Sequence, residues 1–114
     1  MVPRNKLIKP PPFAVESGIK ALGAKLRIAR LRRNLTLADM AVKIGVTRQV
    51  LSDAEGGKLT TSIVVYAGML WAMNLLDHLD PVADPAKDEE GVALSIHQGR
   101  ERARHGGGGL NNDF

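Results

Sequence analysis

Apolar residues recur along the first two thirds of the chain at helical spacing, interrupted where Gly, Asn or a hydroxyl residue punctuates the pattern. Ile19, Leu22, Leu26 and Ala29 follow the 3.6-residue period, with Ile28 and Leu31 at the flanks. Ser17 can cap a helix over residues 17 to about 33, and Asn34 suits the left-handed conformation that ends one. A second short helix starts after Thr36, a cap with Asp39 three residues on as its capping-box partner. Its apolar positions are Leu37, Met40, Ala41 and Ile44, with Ala41 small where another helix must cross closely. Gly45 then supplies the positive φ of a tight turn. Thr47 caps a third helix whose inward stripe is Val50, Leu51 and Ala54, helped by Val46 just ahead of it. Gly56 and Gly57 end it.

The outer face of that third helix carries Arg48, Gln49, Ser52 and Asp53. A short helix with a thin apolar seam and an outer face of hydrogen-bonding side chains suits a major groove, where base edges present donors and acceptors. Two such helices joined by a few residues including Gly describe a helix-turn-helix. Small hydroxyl residues, Thr60, Thr61 and Ser62, open a fourth helix from about residue 63 to 73. The amides at a helix start favour anions, which makes these three candidates for phosphate grip, together with Thr47 and Lys58. Tyr66, Ala67, Leu70, Trp71 and Asn74 share one side of that helix, an arrangement for core or dimer packing. Residues 75–79 form a last short helix or turn, ended by Pro81.

The ends read differently. Residues 1–16 form an N-terminal arm, extended through Pro10, Pro11 and Pro12 and basic at Arg4, Lys6 and Lys9, able to reach a groove or lie on a partner. From Pro81 a charged loop leads to Val92, Leu94 and Ile96, whose alternation allows a strand or a short helix. Arg100, Arg102 and Arg104 follow, then the glycines 106–109 as a tether ahead of Leu110 and Phe114. The expected organisation is arm 1–16, helix-turn-helix domain 17–80, and a tail 81–114 that can dock a partner.

Charge sharpens this picture. The net +4 conceals +8 over residues 1–35, from nine basic groups against one Glu, while residues 36–80 and 81–114 each carry −2. A basic N-terminal part beside a helix-turn-helix is an electrostatic footprint for phosphates. Among 114 residues there is no Cys, which removes disulfides, thiolate metal sites and a cysteine nucleophile. His78, His97 and His105 lack metal-site spacing, and Asp88, Glu89 and Glu90 make a solvated cluster rather than an acid/base pair. The glycine run lacks the Lys-Ser/Thr of a phosphate loop. We therefore expect no enzyme activity, no metal and no cofactor. Without a transmembrane stretch or a signal-peptide pattern, the expected location is cytoplasmic.

Residues 26–58, LRIARLRRNLTLADMAVKIGVTRQVLSDAEGGK, resemble the lambdoid repressor and Cro type of helix-turn-helix, often called XRE, and the likeness extends more loosely to about residue 79. It departs at Leu37, where many members carry a glutamine that touches a phosphate. The resemblance implies an all-α, five-helix, lambda-repressor-like domain acting as a homodimeric repressor on double-stranded DNA. Its operator would have inverted half-sites about 34 Å apart. Arg48, Gln49, Ser52 and Asp53 would meet bases. Arg30 aligns with a position that pairs with the recognition-helix glutamate, here Glu55, so a structural ion pair stands beside the reading of Arg30 as a DNA contact. Residues 76–94, LDHLDPVADPAKDEEGVAL, with the Arg-rich stretch after them, are similar to the C-terminal part of HipB-type antitoxins. That likeness implies autorepression of a toxin-antitoxin operon and restraint of a HipA-type serine/threonine kinase toxin. The alternative is a stand-alone phage-like regulator without a toxin partner.

Overall fold

The computed structural model describes residues 9–104. Among them the regular structure is all helical: α1 (Phe13–Arg32), α2 (Leu37–Ile44), α3 (Arg48–Glu55), α4 (Ile63–Ala72) and α5 (Glu89–Arg104), with 3-10 turns at Leu76–Leu79 and Pro85–Lys87. The chain divides between residues 79 and 80 into two compact units. The glycine tether, Leu110, Phe114 and the arm's Arg4 and Lys6 lie outside the described residues.

In the first unit α1 begins at Phe13, four residues ahead of the expected cap at Ser17. The reason is Pro12, whose extended backbone (φ −53°, ψ 148°) aims its carbonyl at the amides of Val15 and Glu16, at 3.0 and 3.3 Å. Glu16 then sits in the first turn, where a carboxylate favours the helix dipole, and bridges to Lys20 at 3.1 Å. Ser17 is an exposed residue within the helix. Asn34, at φ 54°, turns the chain out of α1.

The second and third helices are fixed at their ends. Thr36 Oγ1 accepts from the Asp39 amide at 3.0 Å while Asp39 Oδ2 accepts from the Thr36 amide at 3.1 Å, a closed capping box. The Thr36 amide, and to a lesser degree the Thr36 hydroxyl, hold the Asp39 carboxyl below its ordinary pKa by hydrogen bonding to its charged form. Gly45 ends α2 at φ 86°, and its amide donates to Ala41 O at 2.8 Å. Three residues separate α2 from α3, and Thr47 Oγ1 caps α3 by accepting from the Val50 amide at 3.2 Å.

These caps set the helices around one core. Met40, Leu51 and Met69 are fully buried at its centre, ringed by Leu26, Ala41, Ala54, Tyr66, Leu70, Ala72 and Met73. Each of the three central side chains contributes about 1.5–3 kcal/mol relative to exposure. An isolated helix shorter than about 12–15 residues is marginal in water, so the eight-residue α2 and α3 depend on this burial. Gly23 lets α1 lie against the end of α3: a Cβ there would stand 2.5 Å from Ala54 O and 2.6 Å from Glu55 O. The α4 face turned inward is Tyr66, Met69 and Leu70, which leaves Trp71 at the margin and half-exposed. Lys43 spans to α4, donating to Ala72 O at 2.9 Å with its ammonium 5.9 Å from the Trp71 ring centre.

In the second unit a single helix replaces the strand-or-short-helix alternatives at Val92–Ile96. Asp84 caps the 3-10 turn through Ala86 N at 3.0 Å, and Asp88 Oδ1 accepts from Gly91 N at 3.0 Å. With Glu89 and Glu90 in its first turn, α5 runs sixteen residues. Local end signals therefore outweigh the two-residue alternation. Val92, Leu94 and Ile96 are each about half-exposed.

Candidate nucleic-acid interface

α3 presents two chemically distinct faces. Leu51 and Ala54 are completely buried, and Val50 is half-buried. Turned the other way, Arg48, Gln49 and Ser52 are exposed, and Asp53 keeps 31% of its side-chain surface. Gln49 Nε2 donates to Asp53 Oδ1 at 2.9 Å, one helical turn along the same face. Lys58 approaches the other carboxylate oxygen at 3.5 Å, so Gln49, Asp53 and Lys58 form one polar chain across the exit of α3. The family resemblance gives Gln49 and Asp53 each a contact with bases; their i,i+4 separation is the signal in the sequence that they meet.

The residues set aside for phosphates gather beside this face. Thr60, Thr61 and Ser62 line a depression of about 270 Å³ with Asp53 and Lys58. Ser62 Oγ accepts from the Val64 amide at 3.2 Å and so caps α4. Thr47 Oγ1 is likewise an acceptor in the α3 cap, and in both residues the hydroxyl proton can still be donated outward. Asp53 brings a negative charge to the same depression, which Lys58 offsets. Leu37 is partly buried against the core, and its side chain has no group to hydrogen-bond a phosphate. Arg48 flanks the cleft at the start of α2 with Thr36 and Leu37.

Beneath the outer face lies a buried ion pair. Arg30 meets Glu55 bidentately, Nε to Oε2 at 2.7 Å and Nη2 to Oε1 at 3.0 Å, and donates Nη1 to Leu35 O at 2.8 Å. The side chains are 8% and 6% exposed. The hydrogen bonding of the guanidinium to Glu55 raises its pKa beyond its ordinary value, against a smaller lowering by desolvation, with the carboxylate's charge adding to the rise. Two of the three donor positions of the fork point at Glu55 and one at the α1–α2 link, so Arg30 ties three segments together from inside.

Sequence reasoning missed Gly23, because its value lies in what crosses it. It also missed the Lys43–Ala72 bond, which joins residues 29 positions apart. No helix among the described residues is long and apolar enough to cross a membrane.

No curated protein and no solved structure matches the chain significantly. A family model described as a helix-turn-helix domain matches residues 21–79, just over half of the 114 residues. That span takes in most of α1, all of α2, α3 and α4, and the 3-10 turn that follows. The chain therefore belongs to the helix-turn-helix domain family of DNA-binding regulators.

Proposed function

We propose that the protein is a homodimeric, sequence-specific transcriptional repressor that places the outer face of α3 in the major groove of an operator with inverted half-sites. The observation that carries this reading is the division of α3: its inward residues and Glu55 are buried, while Arg48, Gln49 and Ser52 stand exposed. Arg48 suits guanine O6 and N7, and Gln49 suits adenine N6 and N7. Thr47, Lys58, Thr60, Thr61 and Ser62 then hold phosphates on the flanks, and the +8 carried by residues 1–35 attracts the duplex.

The finer reading is an antitoxin that represses its own operon and binds a HipA-type kinase toxin. It is supported by the resemblance of residues 76–94 and by α5, which holds Val92, Leu94 and Ile96 half-exposed beside the acidic Asp88, Glu89 and Glu90. Phosphates would repel that acidic cluster, whereas a protein pocket can receive the apolar side chains.

Gel-shift titration of the protein on its own promoter and on a scrambled duplex tests the first reading. Replacing both Arg48 and Gln49 by Ala should erase the preference while the fold persists, because each bidentate pair gives about 1–3 kcal/mol of discrimination. Unchanged discrimination in a folded double variant refutes it. Deleting residues 81–114 tests the second: operator binding should hold within a few-fold at fixed salt while co-purification with the product of the adjacent gene is lost. A tenfold loss of operator affinity with a shallower salt dependence would instead assign Arg100 and Arg102 to phosphates.

A further inference from the structure

Asp53 stands on the outer face of α3 between two donors, Gln49 Nε2 at 2.9 Å and Lys58 Nζ at 3.5 Å. An ionised carboxylate only accepts hydrogen bonds, so it dictates which way round the Gln49 amide lies. The NH₂ turns to Asp53, and Oε1 turns away. One N–H is engaged, which leaves one N–H and one carbonyl oxygen for anything approaching from outside.

We propose that Asp53 is a positioning residue for base recognition: it does not read a base itself but orients Gln49 for adenine. Adenine offers an acceptor at N7 and a donor at N6, the complement of the one N–H and one oxygen that remain. Guanine offers two acceptors, O6 and N7. To meet both, Gln49 must turn its NH₂ outward and break the bond to Asp53. The carboxylate therefore adds discrimination against guanine without touching the base. Lys58 completes the device. It approaches the second carboxylate oxygen at 3.5 Å and offsets a negative charge that the DNA backbone would repel. The arrangement rests on the major-groove reading of α3 given above.

The experiment is selection from a random-sequence duplex pool by the full-length wild-type protein, Gln49→Ala and Asp53→Asn. The wild type should enrich a motif containing an adenine that becomes random with Gln49→Ala. Asn can donate as well as accept, so Asp53→Asn no longer holds the amide in one orientation. The adenine-over-guanine ratio at that same position should fall by about twofold, with guanine rising and the other columns unchanged. In the free protein, the Gln49 side-chain amide resonance should shift on Asp53→Asn while the α3 backbone amides keep their positions, which separates reorientation from unfolding. A changed cytosine column would make Asp53 a direct reader and overturn the proposal. So would an unchanged motif, or a uniform loss of affinity at every column. A wild type that enriches no motif refutes the major-groove reading itself, a failure distinct from that of the Asp53 arrangement.

Discussion

Removing either partner of the Arg30–Glu55 pair should cost far more than removing both. The pair is bidentate at 2.7 and 3.0 Å, with side chains 8% and 6% exposed, so a lone survivor cannot turn to water. Breaking one side of such a pair costs about 3–5 kcal/mol. At about 4–8 °C per kcal/mol for a domain of this size, each single variant should melt roughly 12–40 °C lower. Arg30→Met should be the worse of the two, because it also removes the donor to Leu35 O at 2.8 Å. Glu55→Leu leaves that bond in place. With Arg30→Met and Glu55→Leu together, no charge is stranded, and the remaining cost is the unpaired Leu35 carbonyl, about 1–3 kcal/mol. Urea titration of the wild type, both singles and the double closes the cycle. A double variant destabilised by the sum of the singles would show that the two residues are not coupled. The pH dependence that Arg30's own proton brings follows from its raised pKa: that contribution is present below arginine's ordinary value and is lost only as pH rises through the higher folded value. Melting temperatures from neutral to mildly alkaline pH should owe no slope to Arg30.

Gly23→Ala should destabilise by about 1–3 kcal/mol, since the new methyl meets backbone oxygens of Ala54 and Glu55 that cannot move aside without shifting α3; an unchanged melting temperature would refute the close crossing. Thr36→Ala opens the capping box and should cost about 0.5–2 kcal/mol, read by thermal melts, with no effect on the Arg30–Glu55 cycle. Because the Asp39 pKa is lowered in the fold, its contribution is present above the ordinary aspartate range and lost as pH falls below it; Asp39→Asn should flatten the acid limb of the stability curve. Tyr66→Phe should leave stability unchanged or raise it by about 1 kcal/mol, since the buried hydroxyl has no hydrogen-bond partner among the described residues; a loss of that size would mean that it has one.

What the sequence discloses here follows the range of the interaction. Thr36 with Asp39, Gly45 and Thr47 act within a few residues, and so the two short helices and their turn are legible in order of residues. The start of α1 was displaced because Ser17 looks like a cap, whereas Pro12 and Glu16 supply the competing and stronger end signals. α5 was ambiguous for a related reason: Val92, Leu94 and Ile96 alternate, and only the Asp88 cap with Glu89 and Glu90 after it decides for a helix. Long-range contacts are the illegible part. Arg30 and Glu55 lie 25 residues apart, and family resemblance rather than spacing joins them. The fit of Gly23 against Ala54 and Glu55 has no local signature at all.

The energies on the two faces of α3 differ enough to have a functional consequence. On the inside, stranding one partner of the Arg30–Glu55 pair costs about 3–5 kcal/mol, and the burial of Leu51 contributes about 1.5–3 kcal/mol. On the outside, an exposed i,i+4 pair such as Gln49–Asp53 is worth about 0.2–0.5 kcal/mol, and a contact as exposed as Lys58–Asp53 about 0–1 kcal/mol. Neither outer contact is needed to hold the helix, because Thr47 secures its start, Glu55 and the Gly23 crossing its end, and Leu51 and Ala54 its length. Substitutions at positions 48, 49, 52 and 53 should therefore leave stability within about 0.5 kcal/mol while altering which bases are preferred. The fold keeps α3 in place by contacts on its inner side, and on the proposed reading the outer residues that meet bases are left to vary without endangering the fold.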